Sequence, residues 1–116
     1  MFFSIVPGMR AARRIGAAER CERRGDLQGA LKARSEALEI LGHSDVDLEM
    51  PWCRSGASVA LRGYAHTAHS LGLLRGLRET LTRWRPTYLR WMETPTTPDE
   101  DKYLKWFEQV LESSAS

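Results

Sequence analysis

Two histidines three residues apart are the clearest candidate metal ligands in the sequence. His66 and His69 would fall on one face of a helix, where two imidazoles can bind the same metal ion, and Cys53 or His43 could add further ligands. No C-x-x-C or H-E-x-x-H element accompanies them, and paired histidines on a helix are more often hydrogen-bonded or partly exposed residues. The sequence therefore favours neither a metal nor a cofactor.

The remaining sequence offers no recognisable catalytic motif. It contains no nucleophile elbow and no phosphate-binding glycine loop, and acid pairs such as Glu36 and Glu39 would face solvent on a helix. Cys21 is expected to be a small core residue, whereas the thiol of Cys53 falls in a predicted loop where it could react. A disulfide between the two cysteines stays open. We therefore expect a protein that is not an enzyme.

Arginines alternate with aromatic residues in the segment 75–91. The members of this basic aromatic cluster are Arg83, Trp84, Arg85, Tyr88, Arg90 and Trp91. Cations interleaved with rings are typical of surfaces that stack on unpaired bases, so a basic helical nucleic-acid-binding domain is the alternative function. Trp84 and Tyr88 also fall on a predicted apolar helix stripe, where such rings usually belong to the core. Nucleic acid is therefore the second partner class, after protein.

Length and composition predict one small helical domain over residues 1–116. The chain is 42% hydrophobic and 28% charged with a net charge of +2, and no apolar run approaches the ~18 residues that a membrane span needs. The charge is uneven. Residues 51–92 carry seven arginines against one acid, a balance of +6, whereas residues 93–116 carry two lysines against six acids, a balance of −4. This asymmetry is compatible with two arrangements. The acidic residues 93–116 could lie across the basic residues 51–92, or the basic residues could form an exposed surface that binds an acidic peptide.

The first six residues, 1–6, are almost entirely apolar and precede Arg10, Arg13 and Arg14, which reverses the order of a secretory signal. The apolar side chains are expected to pack against the helices, although an interface or a targeting use stays open. Two cysteines without such a signal favour a reducing cytoplasm.

Hydrophobic periodicity predicts five helices and a possible sixth, separated by short loops. Their expected ranges are Gly8 to Arg24, Leu27 to Leu41, Ala57 to Leu71, Leu73 to Arg85, a short helix from Pro86 through Met92, and 99–113. The stretch between Gly42 and Gly56, which contains Pro51, Trp52 and Cys53, is expected to be a loop.

The last predicted helix, 99–113, has the clearest start signal. Thr97 suits the N-cap, Pro98 suits the first helical position, and Glu100 completes a capping box three residues after the cap. The segment 94–98 is the predicted linker that joins this helix to the others.

The stretch from Gly25 to Ile40 resembles the turn and second helix of a tetratricopeptide repeat. Gly25 suits the turn between two antiparallel helices, Asp26 suits the cap of the second helix, and the small residues Ala30 and Ala37 would let a neighbouring helix approach closely. The resemblance covers Ala11 to Leu41. A second, partial echo spans residues 61–84, where Leu61, Tyr64, Ala65 and Gly72 match the family's positions and Leu77 stands where alanine is expected. The turn glycines are 47 residues apart, against a usual period of ~34.

The resemblance implies a compact antiparallel all-α bundle of tetratricopeptide-like hairpins that binds a partner along the first helix of each pair. The residues expected to bind the partner are exposed basic residues and tryptophans: Arg13, Arg20, Arg62, His66, His69, Trp52, Trp91 and Trp106. Ile15 and Glu19 replace the lysine and asparagine with which the family binds a free peptide carboxylate, so that ligand is not expected. The sequence thus predicts a protein-protein interaction module, an adaptor or small subunit of a larger assembly, with a homodimer as one option.

Overall fold

The computed structural model describes residues 2–43, 46–93, 102, 105–106, 108–110 and 112, apart from the side chains of residues 2–6 and 74. These residues form four complete helices, α1 (Phe2–Arg23), α2 (Leu27–Leu41), α3 (Pro51–Ser70) and α4 (Leu74–Glu93), and they contain no strand. The predicted all-α class is confirmed. The chain forms two compact units, Met1–Thr67 and Ala68–Ser116, which are described one at a time. The assignment of residues 1–116 to a single domain stays a prediction.

Helix α1 begins at Phe2, six residues before the predicted start at Gly8, and includes Pro7 in its interior. The expected packing of the apolar side chains of residues 2–6 lies outside the described part of the chain. None of the helices in the described ranges has the length and apolar composition needed to cross a bilayer.

The turn between α1 and α2 follows the predicted pattern. Gly25 adopts a positive φ of 78°, which costs glycine little because it has no Cβ. Asp26 caps α2, since its side chain accepts a hydrogen bond from the Gly29 N–H at 2.9 Å. The Asp26 N–H also donates to the carbonyl of Cys21 at 2.8 Å. The helix then runs from Leu27 to Leu41, the range that the sequence predicts.

Small residues hold α1 and α2 together. Ala18 on α1 packs in one buried cluster with Ala30 and Ala33 on α2, and Ala37 is also fully buried. Ion pairs join Arg14 to Glu36 and Glu22 to Arg34, so that the residue numbers rise on α1 as they fall on α2. The two helices are therefore antiparallel.

Helix α3 begins at Pro51, so the prediction of a loop as far as Gly56 is wrong. Proline suits the first turn of a helix because the N–H that it lacks would have no intrahelical partner there. The first helical hydrogen bond runs from the N–H of Arg54 to the carbonyl of Met50 at 2.9 Å. Cys53, expected in the loop, is instead fully buried on this helix.

Three glycines mark where α3 passes close to its neighbours within the first unit. Gly8 on α1 lies against Trp52 and Cys53, and Gly56 on α3 lies near Ile15 and Leu41. The third, Gly63 on α3, lies beneath the guanidinium of Arg34 on α2. The order of these contacts shows that α3 runs in the same direction as α1 and opposite to α2.

In the second unit, α4 continues through Pro86, so the predicted interruption and separate fifth helix are wrong. A proline inside a helix removes one hydrogen bond and costs ~3 kcal/mol. The buried stripe keeps its spacing of four and three residues on both sides of the proline. Its members are Leu77, Leu81, Trp84, Tyr88 and Trp91. Pro86 itself is exposed, and the large rings on the opposite face offset its cost by burying apolar area.

The predicted linker 94–98 and the capping residues Thr97 and Pro98 lie outside the described residues. Within the predicted helix 99–113, the residues that are described, 102, 105–106, 108–110 and 112, are helical. Glu108 lies 3.4 Å from the hydroxyl of Tyr88, which donates a hydrogen bond to its carboxylate.

Candidate partner-binding groove

An apolar groove of about 360 Å³ opens between the beginnings of α1 and α3 in the first unit. Its lining residues are Gly8, Met9, Ala11, Ala12, Ile15, Leu41, Trp52 and Gly56. We call it the α1/α3 groove. No charged side chain lines it, so the groove offers a partner only apolar contact, and a partner's polar groups would have to meet protein groups outside it.

Met9 on α1 and Trp52 on α3 are unusually exposed for large apolar residues. They are 57% and 54% exposed, respectively. Gly8 leaves room for the close approach of Trp52, because a Cβ at position 8 would lie only 3.0 Å from the indole Cδ1. The glycine therefore lets the ring lie against the backbone of α1. Two large apolar side chains in water beside an apolar groove are typical of a surface that a partner covers.

Two of the three helices that line the groove, α1 and α3, carry cations and no acids beside it, whereas α2 contributes only Leu41 to the lining. Residues 2–18 of α1 and the whole of α3 contain five arginines and neither aspartate nor glutamate. Two of these arginines are paired with acids from elsewhere in the unit: Arg14 with Glu36 at 3.2 Å, and Arg54 with Glu49 at 4.0 Å. The surroundings of the groove therefore have a positive balance.

Arg13 and Arg20 follow Met9 along α1 without lining the groove. They follow Met9 by four and eleven residues, so all three side chains fall on one face of the helix. Both arginines are exposed. The predicted cations on α1 thus share a helix face with Met9, which lines the groove together with Trp52.

The exposed face of α3 carries two more of the predicted residues. Exposed residues recur every three or four positions at Trp52, Ser55, Val59, Arg62 and His66. His69 continues this spacing on α3 and is exposed, but it belongs to the second unit. The face is apolar near the groove, where Trp52 and the 41% exposed Val59 lie, and becomes basic toward Arg62.

Trp91 does not lie on a surface, which corrects the expectation that it is an exposed anchor. It is 1% exposed and its ring centroid lies 6.5 Å from that of Trp84, at an interplanar angle of 41°. Trp106, in the second unit, is half-buried. The spacing of Trp91 from Trp84 is seven residues, which places both rings on one helix face once α4 passes through Pro86.

The sequence analysis missed Met9 and the glycines of the groove. The sequence predicts a helix start at Gly8 and a loop end at Gly56, whereas each is an interior helix position facing another helix. A glycine within a helical stretch often marks close approach by a neighbouring element, and that signal could have found both.

The titratable residues of the described ranges were compared with the arrangements that bind metal ions. No group of three or more histidines, cysteines or acids there is placed to hold a metal ion. Burial, and secondarily the charge of Asp47, raise the pKa of the Cys53 thiol. The thiol that the sequence places in an accessible loop is therefore buried on a helix, and a buried thiol of raised pKa is a poor nucleophile. Cys21 and Cys53 are both thiols and form no disulfide.

The basic aromatic cluster is divided between the inside and the outside of its unit. Trp84, Tyr88 and Trp91 are buried, as the core-stripe interpretation of the first two predicts, whereas the arginines are exposed. Stacking on bases requires accessible ring faces. The three rings thus offer no stacking surface, and the cluster presents only its cations.

Comparisons with protein-family models, with curated proteins and with solved structures found no match to this chain. The similarity to tetratricopeptide repeats stays a prediction from the residues of α1 and α2.

Proposed function

We propose that this protein is a non-enzymatic interaction module, an adaptor or small subunit of a larger assembly, that binds a protein partner in the α1/α3 groove. The observation that carries the proposal is the pair of large apolar side chains, Met9 and Trp52, which stand more than half exposed beside the groove. Exposed aromatic residues next to a pocket are the usual anchors of protein interfaces. The resemblance of α1 and α2 to a tetratricopeptide hairpin supports the same function, since such hairpins bind partners along their first helices.

Site-specific photo-crosslinking tests the proposal. A benzophenone amino acid replaces Ala12 in the groove or Val59 on the exposed face of α3, and Lys32 on α2 serves as the control position. We expect one protein to crosslink at the first two positions and not at the third. The partner is then identified by mass spectrometry and purified. Its affinity should fall about 30-fold for Trp52→Ala, as for an interface residue worth ~2 kcal/mol. Unchanged affinity for that variant would refute the groove as the binding site.

Nucleic-acid binding through segment 75–91 is the second candidate. It is favoured by five exposed arginines on α4, Arg75, Arg78, Arg83, Arg85 and Arg90, but the nearby rings are buried. Such a surface would contact phosphates without stacking on bases. Retention on a single-stranded oligonucleotide that falls steeply with salt, and falls further for Arg83→Glu with Arg90→Glu, would support this candidate over the first.

A further inference from the structure

We propose that the occupant of the α1/α3 groove is an acidic amphipathic helix, which inserts an apolar side chain between Met9 and Trp52 and places carboxylates opposite Arg13 and Arg20. This inference rests on the proposed function and adds the chemistry of the partner. It follows from the size of the groove, from the charge of its surroundings and from the order of residues along α1.

The size of the groove limits what enters it. Sites that enclose a whole drug-sized molecule have volumes of ~300–1,000 Å³, so the 360 Å³ of the α1/α3 groove lies at the lower end of that range. It therefore accepts one or two large apolar side chains and not a whole folded surface. An amphipathic helix that lays a few anchors into a groove between helices is the recurring way to fill such a space.

The charge around the groove selects an acidic partner. Neither α3 nor residues 2–18 of α1 contain an acid, although Arg14 and Arg54 on these helices are paired with Glu36 and Glu49. Arg10 and Arg13 are exposed on the same part of α1, and the exposed Arg20 follows after Glu19. A basic partner would bring like charges together, which costs several kcal/mol at an interface, whereas an acidic one would be steered toward the site. Charge complementarity therefore favours aspartate and glutamate on the partner.

The spacing along α1 predicts where those acids lie. A helix rises about 1.5 Å per residue, so Arg13 stands about 6 Å and Arg20 about 16 Å beyond Met9 along the helix axis. A partner helix aligned with α1 has the same rise. Its acids should therefore fall about four and about eleven residues from the apolar anchor, on the same helical face. This spacing distinguishes the proposal from a general preference for anions.

Selection from a display library of random 20-residue peptides tests the proposal on the full chain. Peptides that bind the protein are sorted by whether Trp52→Ala abolishes binding. We expect the Trp52-dependent peptides to be enriched in acids at about four and eleven residues from a large apolar residue. Their affinity should fall about tenfold for Arg13→Glu with Arg20→Glu, because the two charge pairs become repulsive. Lys32→Glu also reverses one positive charge, but on the exposed side of α2, and it should have little effect on the affinity. Far-ultraviolet circular dichroism checks that each variant folds.

The other outcomes separate this inference from the function on which it rests. Trp52-dependent peptides that are neutral or basic would overturn the acidic partner and leave the groove as a binding site. Binders that are all indifferent to Trp52→Ala would overturn both. A single-stranded oligonucleotide or an anionic phosphatidylserine vesicle that binds in a Trp52-dependent way, and more tightly than the selected peptides, would replace the acidic helix with a different polyanion.

Discussion

At the scale of single residues, Arg34 is one of two arginines whose side chains are buried in the described part of the first unit. It is only 6% exposed, and its Nε and Nη2 donate to one carboxylate oxygen of Glu22 at 3.0 and 2.7 Å. Its Nη1 is buried without a hydrogen-bond partner. Glu22 is more accessible, with 37% of its side chain exposed. The pair is therefore asymmetric. The guanidinium of Arg34 has lost most of its contact with water and depends on Glu22 for its counter-charge, whereas the carboxylate of Glu22 remains partly solvated.

This asymmetry predicts unequal effects when either partner is replaced. Glu22→Gln leaves a buried guanidinium without its counter-charge, and we expect it to lower the free energy of unfolding by ~2 kcal/mol, below the full cost of breaking a buried pair because Glu22 is partly solvated. Arg34→Met removes the buried charge and keeps an apolar stem, so its effect should be smaller, within ~1 kcal/mol of zero. Urea denaturation monitored by circular dichroism measures both.

Glu36→Gln is the matched control for that comparison. Its partner Arg14 has 52% of its side chain exposed, so losing the pair should cost less than ~0.5 kcal/mol. Equal losses for Glu22→Gln and Arg34→Met would contradict the interpretation of the pair.

Tyr88 gives a pH-dependent prediction. Burial, followed by the charge and hydrogen bond of Glu108, raises the pKa of Tyr88 to about 12. In the unfolded chain a tyrosine ionises near pH ~10. Because the pKa of Tyr88 is higher in the folded state, the neutral phenol stabilises the folded state relative to the unfolded chain. This stabilisation is fully present below pH ~10 and is lost progressively up to about pH 12. Absorbance at 295 nm should show one tyrosine that ionises late, and Tyr88→Phe should remove that step and weaken the loss of stability. A late step that persists in Tyr88→Phe would assign it to another tyrosine.

At the scale of the helix, the sequence predicts elements well where the signals are local. The turn at Gly25, the cap at Asp26 and both ends of α2 agree with prediction because each depends on residues within one turn of the chain. The start of α3 and the uninterrupted course of α4 differ from the prediction. A proline is compatible with a helix start and, at a cost, with a helix interior, so the sequence around Pro51 or Pro86 does not decide the outcome. Packing elsewhere on the same helix decides it.

The cap of α2 gives a prediction at this scale. Asp26→Ala removes the acceptor for the Gly29 N–H, and we expect a loss of ~1 kcal/mol in the free energy of unfolding. Asp26→Ser keeps a side-chain acceptor and should lose much less. Thermal unfolding monitored at 222 nm measures both variants. A serine variant as unstable as the alanine variant would show that the cap is not the source of the loss.

The candidate site was only partly predictable from the helices taken singly. Helical spacing was enough to propose Arg13 and Arg20 as surface residues, because it fixes which residues share a face. Trp52 was proposed from its residue type alone, since the sequence predicts a loop around it. The groove itself depends on how closely α1 approaches α3, and Met9 became a candidate only once that approach was known. The prediction that Trp91 is exposed was wrong because the sequence places it on a separate short helix after Pro86. Only a continuous α4 puts Trp91 on the same buried face as Trp84.

At the scale of the whole molecule, a modest net charge of +2 conceals a strong internal asymmetry. Residues 93–116 are acidic, whereas residues 2–18 of α1 and the whole of α3 contain no acid. Overall charge is therefore a poor guide to the partners of this protein, and the local balance around each surface is the informative quantity.

Partner binding should be visible in the thermal stability of the first unit. A ligand that binds only the folded state adds ~2.7 kcal/mol at 100 times its Kd, which corresponds to a rise in Tm of roughly 10 °C for a chain of this size. We expect this shift with the tightest Trp52-dependent peptide, measured by differential scanning calorimetry. Trp52→Ala should unfold at a Tm that the peptide does not alter. A similar shift in that variant would place the peptide outside the groove.

The glycine beneath Arg34 has a consequence for how freely this protein can diverge. Any Cβ at position 63 would occupy the space of the Arg34 guanidinium, whereas a Cβ at Gly16 would meet only Arg20 Nη1 at 3.6 Å. In a saturation library sorted for folded protein, position 16 should accept alanine readily and position 63 should remain glycine. We therefore expect the two positions to co-vary among homologues: a larger residue at position 63 should occur only where Arg34 is also replaced, whereas glycine at 63 is compatible with either.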